Sequence, residues 1–379
     1  MSEWIKCKLG DVVKTNVKSL DKSYSFEKIL YLDTGSVTKG KIESFQEITL
    51  KDAPSRAKRL VKPNDIVYST VRPIQRHYGL LKRPQPNLVV STGFTVIEVN
   101  QKLANPEFIY YILSSDESVE YLDVIAEAST STYPSLKPSD IENLDISLPT
   151  IEEQKAIASA LSSLNDKIDL LDRQNTNLER MAETLFRQWF IEEAHEDWVL
   201  HKLGDCVTIS YGKNLPTKNL LEDGFPVFGA NGQIGFYDRY TYDKPQVLVS
   251  CRGEASGKVN ISLPKSYVTN NSLILERNKM LDISFEFLKY WALSYDFDLH
   301  VSGSAQPQIT IDGLYDADFT LPPKDLIEKF TEMVKGPESK KLNNFYQIKT
   351  LEKLRDNLLP KLMSGEVLVE FNGEHHDAI

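Results

Sequence analysis

Apolar residues recur at alternating intervals of three and four along one stretch of the chain: Ile168, Leu171, Leu178, Ala182, Leu185 and Trp189, with Asn175 in the same series. That spacing is the heptad seam of a coiled coil, and a single polar Asn in such a seam fixes register. A rougher stripe, Leu342, Phe345, Ile348, Leu351, Leu354, Leu358 and Leu362, follows toward the C-terminus. Two stripes of equal length in one chain most simply bury each other as an antiparallel pair. Lys341, Asn344 and Arg355 stand in the second stripe where the first has Ile168, Leu171 and Ala182. They imply either irregular packing or polar positions offered to a partner. The first helix opens at Ile151-Glu152-Glu153-Gln154, whose acids suit a helix N-terminus. A break is expected near Ser162-Ser163, because Gly336-Pro337 falls at the corresponding place in the second stripe.

Between the stripes the pattern changes to short β-branched and aromatic runs. Lys28 to Leu32, Asp65 to Ser69 and Leu88 to Val99 predict strands, as do Gln246 to Cys251 and Tyr267 to Leu275. Asn105-Pro106 places a cap before a proline at the first helical position and predicts a helix to about Ser115. Asp282 is expected to cap another, to about Ser294. Gly224-Phe225-Pro226 and Gly229-Ala230-Asn231-Gly232 predict turns.

These elements occur twice. Lys8-Leu9-Gly10-Asp11 returns as Lys202-Leu203-Gly204-Asp205, each a few residues after a tryptophan. Pro134-Ser135-Leu136 through Leu148-Pro149 matches Pro307-Gln308-Ile309 through Leu321-Pro322, and Val71-Arg72 and Cys251-Arg252 occupy comparable places. The reading is α+β: two mixed α/β globular domains joined by two long helices in an antiparallel coiled coil, on a pseudo-twofold repeat. The boundaries are 1–150 for the first domain, 151–197 for a central helical spacer, 198–322 for the second domain and 323–379 for a C-terminal helical spacer.

With 379 residues and 41% of them hydrophobic, the chain has enough apolar side chains for two or three cores. No apolar run approaches the roughly 18 residues of a membrane span. The N-terminal residues lack a secretory pattern, and three scattered cysteines offer neither a disulfide framework nor a zinc site. A reduced, cytoplasmic setting is expected. The formal net charge of −10 excludes a uniformly basic nucleic-acid binder. Locally, however, residues 51–83 carry nine basic against two acidic residues, and residues 151–197 carry eleven acidic against five basic.

Several stretches bring in a family. Leu148-Pro149-Thr150-Ile151-Glu152-Glu153-Gln154-Lys155-Ala156-Ile157, Arg173-Gln174-Asn175 through Phe186-Arg187-Gln188-Trp189-Phe190, Leu354 through Glu366 and Phe225 through Gly235, in this order on a two-copy plan, resemble the DNA-specificity subunit of type I restriction–modification systems. The resemblance covers essentially the whole chain. It implies a non-catalytic subunit with two target-recognition domains, each reading half of a split site in double-stranded DNA. It implies helices that set the gap and dock two modification subunits. S-adenosylmethionine would sit on those partners, ATP and Mg on restriction subunits when they join, and no cofactor on this chain. The alternative is a structural coiled-coil protein with protein-binding globular ends.

Candidate DNA contacts in the first domain are Arg72, Arg76 and His77, with Arg56, Lys58, Arg59 and Lys62 along the backbone and Thr132 and Tyr133 in a polar loop. Arginine pairs bidentately with a guanine edge, whereas lysine mainly neutralises phosphate. In the second domain they are Tyr211, Lys213, Asn231, Gln233, Arg252, Lys258, Asn270 and Asn271, with Ser304 and Gln306 in the matching loop. Each also has a plain reading as solvated surface, and Asn231, between glycines, has one as a turn residue with positive φ. Gly253 to Val259 lacks the phosphate-loop spacing, and no adenine-methyltransferase motif or metal cluster is seen. Cys7 and Cys206 read as small buried fillers; Trp189 and Phe190 read as core.

Overall fold

The structure, a computed structural model, describes residues 4–129, 133–277, 281, 283–303, 306–367 and 369. The chain forms two compact units, one of Met1–Leu170 with Ile348–Ile379 and one of Leu171–Gln347. Each therefore holds one globular domain and segments of both long helices.

The first unit contains β1 (Ile5–Lys8), β2 (Val13–Thr15), β3 (Lys28–Leu32), β4 (Val37–Thr38), β5 (Lys41–Ile42), β6 (Gln46–Thr49), β7 (Ala57–Leu60), β8 (Asp65–Ser69), β9 (Tyr78–Leu81), β10 (Leu88–Ser91) and β11 (Phe94–Val99). Helices α1 (Pro106–Ser114), α2 (Asp116–Glu127) and α3 (Pro138–Glu142) follow, then β12 (Asp145–Leu148) and α4 (Ile151–Arg187). One sheet runs β2-β11-β8-β9, all antiparallel, and a second runs β6-β3-β10-β7, with β3 and β10 parallel. β1 and β12 pair antiparallel as a separate clasp, Ile5 opposite Leu148.

The second unit repeats the plan with β13 (Val199–Lys202), α5 (Leu203–Cys206), β14 (Val207–Tyr211), β15 (Phe225–Gly229), β16 (Gly232–Tyr237), β17 (Val247–Ser250), β18 (Val259–Ile261), β19 (Tyr267–Val268) and β20 (Ser272–Arg277). It ends with α6 (Phe285–Ser294), α7 (Ile311–Tyr315), β21 (Asp318–Leu321) and α8 (Lys324–Met363). Its sheets run β14-β20-β17-β18 and β16-β15-β19, and β13 pairs with β21. Strand for strand this is the first domain without counterparts for β7 and the β4–β5 hairpin among the described residues.

Alternation explains why β8, β11, β17 and β20 are almost continuously apolar. Ile66 and Tyr68 of β8 face the core shared with α1 and α2, while Val67 faces the core between the two sheets. Val247 and Val249 of β17 likewise face the helical side and Leu248 the other. Period-two side chains buried on both faces give such runs, and each buried Val, Leu or Ile contributes about 1.5–3 kcal/mol.

The expected α1 is present: Asn105 caps it by accepting the Phe108 N–H at 3.0 Å, with Pro106 at the first position. Ser284 caps α6, accepting the Phe287 N–H at 3.0 Å; Asp282, the expected cap, lies outside the described residues. The run from Tyr267 divides into β19 and β20 around a turn at Asn270-Asn271, and Leu88 to Val99 divides around Thr92-Gly93. Phe225 and Pro226, expected in a turn, belong to β15, where Pro226 pairs with Phe236. Cys206 is buried, but Cys7 is only partly so, because β1 is exposed on one face.

The expected break in the long helices is absent. α4 runs 37 residues without interruption, and α8 runs 40 residues through Gly336-Pro337. Pro337 cannot donate to the Met333 carbonyl, but Met333 lies on an exposed face (55%), where water serves the freed acceptor. The polar departures of the second stripe meet polar residues of the first. In the first unit Arg355 donates to Asn165 Oδ1 at 3.1 Å. In the second, buried Asn344 donates to Gln174 Oε1 at 2.8 Å and Asn175 Oδ1 at 2.9 Å, and Lys341 pairs with Glu179. The pairing is antiparallel, as expected. Asn175 does lie at a polar layer, of the kind that specifies register at some cost in stability.

One buried acid carries a pH prediction. Asp65 opens β8 at 4% exposure and accepts the Lys62 N–H at 2.9 Å. Burial raises its carboxyl to about 6, against the pull of Lys62. A folded pKa above the unfolded value of about 3.9 means stability that is full below pH 4 and lost as pH rises through 6. Asp65→Asn keeps the acceptor and removes the charge. It is expected to stabilise the first unit by about 2 kcal/mol more at pH 7.5 than at pH 4. Urea midpoints at the two pH values check this; an equal shift at both would refute it.

Candidate nucleic-acid interface

Both domains build the same corner at the C-terminal end of their central strand. After β8 the chain turns through Arg72 and Arg76, both left-handed (φ 47° and 59°), around a 3-10 turn at Pro73–Gln75. The polar loop fastens to this turn: Arg72 N–H donates to Pro134 O at 3.2 Å and Leu136 N–H to Thr70 O at 2.8 Å. After β17, Gly253 N–H donates to Pro307 O at 2.9 Å and Ile309 N–H to Cys251 O at 3.1 Å.

These bonds fix the equivalences, and they correct the sequence match by one residue. Thr70 corresponds to Cys251, Val71 to Arg252, Arg72 to Gly253 and Arg76 to Gly257. The bridges agree, with Val71 opposite Ser135 and Arg252 opposite Gln308. Matching arginine to arginine misled because backbone hydrogen bonds, not side-chain identity, set the register. Gly253 and Gly257 are also left-handed, at φ 75° and 93°. Glycine takes that conformation freely; another residue pays roughly 1–2 kcal/mol.

In the first domain the corner gathers Arg56, Arg72 and Tyr133. Arg56 O accepts the Thr92 N–H at 2.8 Å, and Gly93 O accepts the Thr70 N–H at 2.9 Å, so the turns lie side by side. Arg72 is exposed and has no ion-pair partner among the described residues, and Tyr133 is 62% exposed. Arg56 is exposed and pairs with Asp33 at 3.2 Å. Arg76 is tied down, 2.7 Å from Asp116. His77 Nδ1 lies 2.6 Å from the Val37 carbonyl, which can only accept, so the ring secures the β4–β5 hairpin. Lys58 is exposed on β7; Arg59 lies partly buried beside it, its Nε enclosed and unpartnered. Lys62 precedes the opposite end of β8 and pairs with Glu98, so the fold does not bring it to the corner. Thr132 lies outside the described residues.

Sequence reasoning missed Lys39, which is exposed at the tip of the β4–β5 hairpin; its N–H donates to Arg76 O at 2.8 Å. The only signal was the turn-forming Lys39-Gly40 pair, which says nothing of where the hairpin docks. Gln154 was quoted without a role. It is 1% exposed, accepts the Asn105 N–H at 2.9 Å and donates to Pro149 O at 3.0 Å, locking α1 to the start of α4.

In the second domain the fold brings its candidates around the end of β17. Asn271 O accepts the Cys251 N–H at 2.9 Å, and Lys258 O accepts the Ser250 N–H at 2.9 Å. Lys213 bridges Thr269, beside Asn270. This approach needs Gly212, where a Cβ would meet the Thr269 carbonyl oxygen at 2.2 Å. Tyr211 ends β14 at 41% exposure. Asn231 and Lys258 line one shallow pocket, and exposed Gln233 stands on the same hairpin, whose Ala230 carbonyl accepts from Ser250 Oγ and Asn260 Nδ2. Gly232, not Asn231, takes the positive φ, which leaves the Asn231 side chain exposed without that turn duty. Arg252 and Gln306 are exposed; Ser304 lies outside the described residues. Gly253 to Val259 turns from strand to strand, so no helix N-terminus follows to hold a phosphate. Among the described residues no group of three His, Cys, Asp or Glu could hold a metal, and no helix is long and apolar enough to cross a membrane. Trp189 and Phe190 pack on the second core, Phe190 against Phe287 and Phe330.

The chain thus carries one α+β domain plan twice, each copy with an exposed polar corner and segments of both long helices. The family model described as the type I restriction modification DNA specificity domain matches residues 1–180 and again 195–356, and the chain belongs to that family. It is similar to the type I restriction enzyme HindI specificity subunit of Haemophilus influenzae, with 25% identity over 97% of this chain and 100% of the relative. It is also similar to the MjaIX specificity subunit of Methanocaldococcus jannaschii, with 27% identity over 86% of this chain and 82% of the relative. The type I restriction-modification S subunit from M. genitalium shares the fold, at TM-score 0.60 and 20% identity, over 95% of this chain and 96% of that one. The chain is thus a DNA-specificity subunit of a type I restriction–modification system.

Proposed function

We propose that each globular domain reads one half of a split, asymmetric site in double-stranded DNA, and that the two long helices fix the gap and dock two modification subunits. Restriction subunits join the same complex when present. This chain performs no chemistry and carries no cofactor: S-adenosylmethionine acts on the modification subunits, which methylate adenine once it leaves the stack, and ATP and Mg act on the restriction subunits. The complex works in the cytoplasm.

The observation that supports this reading is the corner built twice from one backbone plan with different side chains. Equivalent corner geometry suits each domain to the same kind of duplex edge, and unequal residues make the half-sites differ. A net charge of −10 opposes approach to DNA outside the basic patches, so the chain alone binds modestly and its partners complete the positive clamp.

Single-molecule methylome sequencing tests it in cells expressing this chain with its modification subunit, against cells lacking only this chain. The expected result is methyl-adenine at a split motif of fixed gap, present only with this chain. Methylation that does not depend on it would favour the structural coiled-coil alternative.

A further inference from the structure

We infer that Arg72 is a specificity-determining residue of the first domain, reading one guanine in the half-site through its guanidinium fork. The inference rests on the proposed DNA-reading function and adds the residue and the base class. Three observations carry it. Arg72 sits at a left-handed position, φ 47°, that the second domain fills with Gly253 at φ 75°. The same backbone bond, to Pro134 O in one domain and Pro307 O in the other, holds both residues, so the turn itself does not need a side chain. The Arg72 side chain is exposed and has no ion-pair partner among the described residues, whereas Arg76, its neighbour in the same turn, is held by Asp116.

A strained backbone position occupied by an exposed long cation that forms no ion pair among the described residues points to work done outside the protein. A guanidinium on a rigid turn matches the O6 and N7 acceptors of guanine, and its five donors and fixed plane distinguish it from lysine at that task. In the second domain the space at Gly253 is open, with nothing within 4 Å of a built Cβ. There the polar side chains stand one position away at Arg252 and across the turn at Asn271, so the two corners read with different positions of one scaffold.

The test uses the complex with modification subunits and a panel of duplexes: the wild-type methylated site and each single-base change in it. Arg72→Gly relieves the backbone and Arg72→Lys keeps the charge without the fork. Both are expected to weaken binding to the wild-type site by on the order of 10- to 100-fold. Both should also abolish discrimination at one G·C pair of the first half-site, and leave discrimination throughout the second half-site intact. Uniform weakening across the panel with discrimination preserved, or wild-type discrimination by Arg72→Lys, would assign the residue to phosphate and overturn the inference. So would unchanged binding by Arg72→Gly. A wild-type complex that discriminates no site at all would instead defeat the DNA-reading function beneath it.

Discussion

Four residues inserted into each long helix, between Asn165 and Asn175 in α4 and between Asn344 and Arg355 in α8, are expected to lengthen the gap in the methylated site by about two base pairs. The reason is dimensional. Four residues add roughly 6 Å at 1.5 Å each, and duplex DNA rises ~3.4 Å per base pair. Four residues are also close to the 3.6 of one turn, so each helix keeps its apolar face within about 40°. The insertion points leave the Asn165–Arg355 and Asn175–Asn344 contacts in place. Helix continuity makes the experiment sharp: without a break in α4 or α8, added residues translate whatever follows them. Methylome sequencing of the variant reads the gap directly, and an unchanged gap means that the helices do not set it.

Lys289→Met is expected to cost the second unit about 3 kcal/mol. Lys289 is 4% exposed on α6, with Glu338 of α8 at 2.8 Å and Glu179 of α4 at 3.2 Å, and the Tyr290 hydroxyl donates to Glu338. Burial drives the Lys289 ammonium down from its ordinary pKa, opposed chiefly by Glu338. Removing one partner of such a group strands the others, which is worse than removing the pair. Lys341, which also pairs with both carboxylates, keeps the loss at the low end of the range. The double variant Lys289→Met, Glu338→Gln should recover about 2 kcal/mol of it. Urea unfolding read from the second unit decides: a single variant within about 0.5 kcal/mol of the parent would show that the network is not a stabilising lock. In the first unit neutral groups stand at the matching positions, with the Arg355 guanidinium bonded to Asn165 beside them. There Tyr110 and Tyr111 occupy the places of Lys289 and Tyr290, counted from the caps Asn105 and Ser284, and Asn165 donates to the Tyr111 hydroxyl at 3.0 Å.

What the sequence made legible was local or periodic. The heptad of α4, the Asn105-Pro106 start of α1, the duplicated Lys-Leu-Gly-Asp and the two-domain plan follow from spacing and caps alone. The failures come from surroundings in space that local spacing does not encode. Gly336-Pro337 reads as a break, but its freed carbonyl faces water and the surrounding helix packs well enough to carry it through. Lys341, Asn344 and Arg355 read as defects of the stripe; each meets a polar residue that only antiparallel pairing brings opposite. Of the site, residue types and general regions were readable. The corner itself was not, because it is defined by hydrogen bonds between segments some sixty residues apart in the first domain, as from Arg72 to Pro134. That distance is why the sequence groups Lys62 with a corner from which the fold keeps it, gives no sign of Lys39, and aligns Arg72 with Arg252 instead of Gly253.

The two small clasps have a consequence for how such chains change over generations. In each domain the first strand lies against the last, Ile5 opposite Leu148 and Val199 opposite Leu321, so the chain enters and leaves through neighbouring strands about 5 Å apart. Everything between is a closed excursion, tied to the long helices chiefly through α1 in one domain and α6 in the other. The entry sequence Lys-Leu-Gly-Asp is identical in both copies, and both exits end in Leu-Pro. A domain exchanged between such chains at these two points would keep its entry and exit strands in register and would have to bring matching helix contacts with it, as at Tyr111–Asn165 and Lys289–Glu338.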